Sequence, residues 1–343
     1  MALRKPTISS FVLNEVNITN QIVPRLASVT YQDEAGATGL LELELISPTS
    51  IELTEGDAIE VRIKYADSDS EVNTGTHIVD EVTIQLAPNI IRIGARAYDY
   101  RSGAATKEAV EFTNIGLTFI LWRFANNFKA EKGGTKFPLR VVSNAPSSLV
   151  VGVASQVGED NIVRANSWLE LLKQLGDDYG YWFNIKFGDL LFLSYEAQEQ
   201  EASSATITPS DCLPTPRFTR RTKDIFKSAF VTYKTSTNEE DFVQIDDSTV
   251  ATTDILDLRE EGVYFNEDSA IERAAGALSS ANRNRQTVRM KTEGNGSYMV
   301  GANVSLTGFT GNMVNGKYAI SRAIHRLDSD GWTTDLEMYM IFN

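Results

Sequence analysis

The chain has 343 residues, 46 of them acidic and 32 basic, for a formal net charge of -14. A surface of that sign repels the phosphate backbone, which excludes a general nucleic-acid coat. A composition of 42% hydrophobic and 23% charged residues supports a packed core, and the single cysteine, Cys212, excludes a disulfide framework or a cysteine-rich zinc site. The start, Met1 to Pro6, lacks the apolar segment of a signal peptide, and no run approaches the roughly 20 apolar residues of a membrane span. Synthesis in a cytoplasm without export, and no membrane anchor, is the expectation.

From Leu40 to Ala97 the apolar period is two, the mark of half-buried antiparallel strands. Leu41, Leu43 and Leu45 alternate with Glu42 and Glu44. Ile59, Val61 and Ile63 alternate with Glu60, Arg62 and Lys64, and Ile91, Ile93, Ala95 and Ala97 with Arg92 and Arg96. Glu55-Gly56-Asp57 and Asp67 to Ser70 are turn-forming stretches between them. Residues 1–100 therefore read as a small barrel or sandwich.

The period then becomes helical. Leu117, Ile120, Leu121, Phe124 and Phe128 share one face after Thr113-Asn114, with Gly133-Gly134 predicted to end that segment. Ser167 and Glu170 have capping-box spacing ahead of the stripe Trp168, Leu171, Leu172, Leu175 and Tyr179, and Gly180 stands where a helix stops. Tyr181, Phe183, Ile185 and Phe187 predict one face of a strand, with a Gly188-Asp189 turn and a return through Leu190 to Tyr195. The span 101–200 is thus an α+β block. Residues 196–216, rich in Glu, Ser and Pro, read as a polar linker.

In the region 201–343, Ser269 and Glu272 predict another capping box, opening a helix near 269–284 that closes at Arg283 and Arg285. Tyr318 to His325 and Thr334 to Met340 flank the hairpin signal Asp328-Ser329-Asp330-Gly331.

Nucleophilic catalysis usually needs a histidine base, and the chain has only His77 and His325, both in strand-like context and read as structural. Gly133-Gly134-Thr135-Lys136 lacks the first half of a phosphate loop and reads as a turn. Asp67, Asp69 and Glu71 imitate the start of a calcium loop. Val72 stands where the sharp turn needs glycine, however, and Ile78 where the last carboxylate belongs, so this too reads as a hairpin turn. Pairs such as Glu239-Glu240 and Asp246-Asp247 match the needs of glycoside cleavage, but a chain with 46 acids offers many. No cofactor, metal or catalytic residue is assigned. One stretch reverses the sign of the chain: Arg217, Arg220, Arg221, Lys223 and Lys227 against Asp224 alone. It is either a docking patch for an acidic partner or a strand edge defended by positive charge. Nucleic acid is disfavoured, with only Phe218 and Phe226 interleaved.

Two stretches resemble the contractile-tail baseplate hub family, which includes phage late control protein D and the hub portion of type VI spike proteins. One runs from Ser167 through the aromatic hairpin to Phe192. The other comprises Ala270 to Asn284, Gly301 to Gly308, Gly316 to Ile320 and His325 to Thr334. The resemblance implies a mainly β fold with an α+β insertion: two tail-tube-like β-barrels, 1–100 and 201–343, linked by a helix-hairpin domain, 101–200. It implies a homotrimer that adapts a six-fold tail tube to a three-fold central spike, with tube, spike, tape-measure and other baseplate proteins as partners, in a virion tail baseplate or tail-like particle assembled in the host cytoplasm. Because the chain ends at Asn343 without a needle or lysozyme-like domain, the spike is expected to be a separate protein. His325 matches the family's terminal-hairpin histidine, a structural position. The competing readings are a glycan-binding module with Trp182 or Trp332 as sugar platforms, and a tail-associated wall-degrading hydrolase.

Overall fold

The computed structural model describes residues 5–46, 53–67, 70–86, 89–97, 109–113, 115–132, 135–154, 161–214, 216–311 and 314–342. The predicted alternation is realised in the N-terminal strands. Leu41, Leu43 and Leu45 on Leu40–Ile46, and Ile59, Val61 and Ile63 on Ala58–Tyr65, are buried in one core with Phe11, Val29 and Tyr31, while their charged neighbours face water. Asp67 lies in the turn leading from Ala58–Tyr65 to Glu71–Leu86, as a hairpin reading requires, and Asp69 lies outside the described residues.

These strands do not form a sheet of their own. A 13-stranded sheet runs, in neighbour order, Arg217–Arg220, Gln286–Glu293, Gly331–Met340, Gly316–Asp328, Leu26–Glu34, Leu40–Ile46, Asn89–Arg96, Glu71–Leu86, Ala58–Tyr65, Pro6–Leu13 and Val16–Asn17. Every pair on this path is antiparallel. The two halves are joined where Gly316–Asp328 pairs with Leu26–Glu34, from Arg322 opposite Glu34 to Leu327 opposite Val29. Asn303–Leu306 branches from the path and carries the parallel strand Ser203–Ile207. Bulges between Glu60 and Arg62 and between Val79 and Glu81 add local twist, and the sheet curls around two cores. Among the described residues the path stays open and no closed barrel forms.

The middle of the molecule is a separate α+β unit. Its helices are α1 (Leu117–Asn127), α2 (Trp168–Tyr179) and α3 (Glu267–Arg283). They pack with the hairpin Tyr181–Lys186 and Asp189–Ser194 and with a seven-stranded sheet that includes Ser228–Lys234 and Glu240–Asp246. Val110 to Phe192 and Ala229 to Leu278 share one core. The expected boundary at residue 200 therefore falls inside a packed unit: 228–283 returns to the α+β block instead of joining the second β region, because the buried stripe of α3, Ala270, Ala274, Ala277 and Leu278, has its complement there. At the α2–α3 contact Gly276 is required, since a Cβ would sit 2.3 Å from the Tyr179 carbonyl carbon.

Several local expectations are revised. α1 ends at Asn127, and Lys129–Lys132 pairs with Thr135–Pro138; Gly133-Gly134 lies outside the described residues. Ser167 does accept from the Glu170 amide at 3.2 Å, but Glu170 reaches back to Asn166, not to Ser167. The cap of α3 is Asn266, whose side chain accepts from the Ser269 amide; the predicted Ser269 start lies one turn inside the helix. Phe187 leaves the strand to form a two-residue turn with Gly188, both at positive φ, and is exposed. The described residues of the supposed linker 196–216 include a short helix Tyr195–Gln200, the strand Ser203–Ile207 and a reciprocal Thr208/Asp211 capping box.

Candidate functional site

Neither histidine is placed for catalysis. His325 is fully buried; its Nε2–H donates to the Tyr298 carbonyl at 2.8 Å, and its Nδ1 accepts from the Thr334 hydroxyl at 3.0 Å. His77 is equally buried and donates from Nδ1 to the Gly75 carbonyl at 3.1 Å, which leaves Nε2 without a partner. Burial disfavours the imidazolium and pushes both pKa values down to about 4, so both rings are neutral at pH 7. Tyr31 lies between them, edge-on to His77 at 5.7 Å and stacked on His325 at 6.1 Å. This is a packed aromatic layer removed from solvent.

Beside that layer lies a buried polar constellation, one that sequence reasoning missed. Asp33, on the strand that joins the sheet halves, has no exposed surface. Its carboxylate accepts from Lys186 Nζ at 3.1 Å, from Asn184 Nδ2 at 2.7 Å and from the Val300 amide at 3.0 Å. Lys186 also donates to the Val300 carbonyl at 3.4 Å. One buried carboxylate thus binds the N-terminal strands, the aromatic hairpin and the C-terminal 295–302 loop. The short strand Ala37–Thr38 adds to the same joint by pairing in parallel with Asn184 and Ile185. The available signal was the pair Asn184 and Lys186 inside the apolar strand Tyr181–Lys186, every residue of which is buried. Polar side chains there require partners.

A cleft of about 480 Å³ lies between the end of α3, the 245–249 turn and the C-terminal strand. Arg283 stacks on Tyr195 with its guanidinium carbon 3.2 Å from the ring centroid, and Arg285 covers Phe342 at 3.5 Å. Asp247, one of the acids from the predicted pairs, accepts from Asn282 at 2.9 Å and lies 3.6 Å from Arg285. Burial works against its charge, but hydrogen bonds from Thr249 and Asn282 outweigh it and hold the pKa below the usual value. Burial raises that of Glu199 across the cleft. These groups hold structure together: Asp246 accepts from Ser228 and Gln244, and the Glu239 carboxylate accepts from the Thr237 hydroxyl while its amide donates to that of Thr235. Glu71, from the calcium-like stretch, accepts from Ser9 and Arg62. Among the described residues no group of three metal-ligating side chains converges.

The basic stretch divides. Arg217 and Arg220 lie on Arg217–Arg220, the end strand of the 13-stranded sheet, whose one partner on that path is Gln286–Glu293. Arg221 and Lys223 continue it, exposed, into the turn at Asp224. Lys227 points away and donates to the Asp247 carbonyl at 2.7 Å. The patch is therefore a positively charged strand edge of four residues. Trp182 and Trp332, the supposed sugar platforms, are buried: Trp332 packs on Tyr65 at 5.0 Å, and Gly301 presses against Trp182.

No protein-family model and no curated protein sequence matches the chain. Solved structures do. A tail protein from Neisseria meningitidis matches with a TM-score of 0.62 at 12% identity, covering 98% of this chain and 96% of that one. The 43 kDa tail protein of prophage MuSo2 from Shewanella oneidensis matches at 0.61 and 13% identity, covering 97% and 98%. This is a phage tail-protein fold. A third match, at 0.53 and 8% identity over 99% of this chain and 77% of the other, is the Escherichia coli protein c3393, a component of the type VI secretion system with structural similarity to T4 tail proteins gp27 and gp5. The resemblance to baseplate hub proteins drawn from Ser167–Phe192 and the closing strands therefore holds at the level of the fold. Among the described residues no helix is long and apolar enough to cross a membrane.

Proposed function

We propose that this protein is a structural baseplate hub of a contractile phage tail or a related injection particle, a homotrimer that joins the six-fold tail tube to the three-fold central spike. The observation that carries the reading is the nearly complete mutual coverage with two tail proteins, both sheet halves and the middle unit included. In this reading the strands around the core of Phe11, Leu41 and Val61 and those around the core of Val288, Val304 and Leu336 are the two tube-like units of each copy. A trimer then presents six such units to a six-fold tube, and the α+β unit holds their relative placement through the Asp33 junction. The role is mechanical, not catalytic, and the partners are the tube, spike, tape-measure and other baseplate proteins of the particle.

The test is the solution mass by light scattering, alone and with the neighbouring tail proteins. A mass about three times 37.9 kDa, alone or once the spike protein is added, is expected of a closed three-fold ring. A monomer that never joins a tail component would overturn the reading.

A further inference from the structure

The molecule exposes two strand edges of opposite charge, and we infer that they pair with each other between copies of this chain. The inference rests on the trimeric reading and names the surfaces that close the ring. The first edge is Arg217–Arg220, at the end of the 13-stranded sheet, followed by Arg221 and Lys223. The second is Glu240–Asp246, at the end of the seven-stranded sheet, where Ser228–Lys234 is its partner in the sheet order. It opens with Glu240 and Asp241 and is preceded by Glu239, all exposed. An edge strand offers a row of unpaired amides and carbonyls to any extended backbone.

Charge decides which backbone. Two basic edges facing one another place like charges opposite, and so do two acidic edges, whereas a basic edge on an acidic one places opposite charges across the new ladder. The chain thus rejects pairing of either edge with its own kind and favours the heterologous combination, which closes into a ring when the rotation fits. Apolar surface accompanies both edges. Phe242 is 50% exposed on the acidic edge, and Leu213 is 41% exposed ahead of the basic one. An apolar centre beside charged rims is the anatomy of an interface. Phe242 is already oriented, edge-on to Phe230 at 5.7 Å and beneath the guanidinium of Arg259.

The decisive experiment uses charge reversal in the full chain. Arg217→Glu with Arg221→Glu, and separately Glu240→Lys with Asp241→Lys, should each reduce the assembled mass to that of one chain under the conditions, spike present if needed, in which the unaltered protein assembles. Combining all four substitutions in one chain should restore association. A second measurement does not depend on charge: with Cys212→Ser as background, Thr219→Cys and Gln244→Cys in one chain should give an oxidised ladder ending at three chains. If the reversed proteins, shown folded by circular dichroism, keep the assembled mass, or if no ladder forms, the edges do not meet and the pairing is wrong while the hub reading stands. If the unaltered protein stays monomeric with every tail partner, both fall together.

Discussion

Lys186 Nζ lies 3.1 Å from Asp33 Oδ2, and both side chains are almost wholly removed from water. Removing two charges from water costs several kcal/mol each, so the pair persists because Asn184 and the Val300 amide complete the carboxylate's hydrogen bonds. Its value lies in placement, since the partners come from three distant parts of the chain. Asp33→Ala leaves Lys186 buried and unpaired, and should destabilise the fold by about 3–5 kcal/mol. The double variant Asp33→Leu with Lys186→Met should recover much of that loss. Urea denaturation of the single and double variants checks both, and equal loss in the two would show that the charge pair is not the source.

The two buried histidines predict a pH dependence with a definite sign. Their folded pKa values, about 4, are below the unfolded value near 6.5, so the folded state resists protonation that the unfolded state accepts. Their contribution is complete above about pH 6.5 and is lost as pH falls toward 4, on the order of 3 kcal/mol per histidine at the acid end. His325→Gln should flatten this slope between pH 6.5 and 4. Denaturant midpoints across that window measure it; a slope unchanged by the variant would locate the acid sensitivity elsewhere.

The start of α3 yields an opposed pair of substitutions. Asn266→Ala removes the side chain that accepts from the Ser269 amide and should cost about 1 kcal/mol. Ser269→Ala should cost little or even stabilise, since its hydroxyl is buried without a partner. Thermal melts of the two variants give the order directly, and a larger loss at Ser269 would return the cap to that residue.

Gly276→Ala tests the α2–α3 contact. Alanine is the better helix former by about 1 kcal/mol, so propensity alone predicts stabilisation. The added Cβ would press into the Tyr179–Gly180 backbone, which cannot yield as a flexible side chain does. A lowered Tm is expected, and a raised one would mean that the helices separate without cost.

Under the hub reading, the acidic solvent face of the N-terminal sheet, where Glu42, Glu44 and Glu81 stand, is a candidate tube lining that repels DNA and so prevents adhesion. Glu42→Lys with Glu81→Lys should slow DNA ejection or retain DNA in assembled particles; ejection at the unaltered rate would remove this face from the lumen.

Local pattern carried the sequence reading a long way. The alternation at Leu41–Leu45 and Ile59–Ile63, the stripe Trp168–Tyr179 and the hairpin around Ser329-Asp330 are all observed, because each depends on neighbours two to four residues away. Short-range reading failed where two local signals competed, as at Asn266 against Ser269, where two residues both suit a cap and only the backbone geometry selects one.

What the chain's own residues determine, without any coordinates, is the β character, the helical faces, the acidic surface with its one basic stretch, and the absence of a recognisable catalytic motif, since all of these follow from composition and short-range period. Tertiary structure alone decided that the first and last strands share one sheet, that 228–283 folds back onto the middle unit, and that Asp33 meets Lys186 across 153 positions. The same holds for Arg217 and Glu240, whose charge was visible at once but whose position on open strand edges was not. Pairing between distant segments is selected by the summed burial of whole faces, and no window of sequence contains both partners.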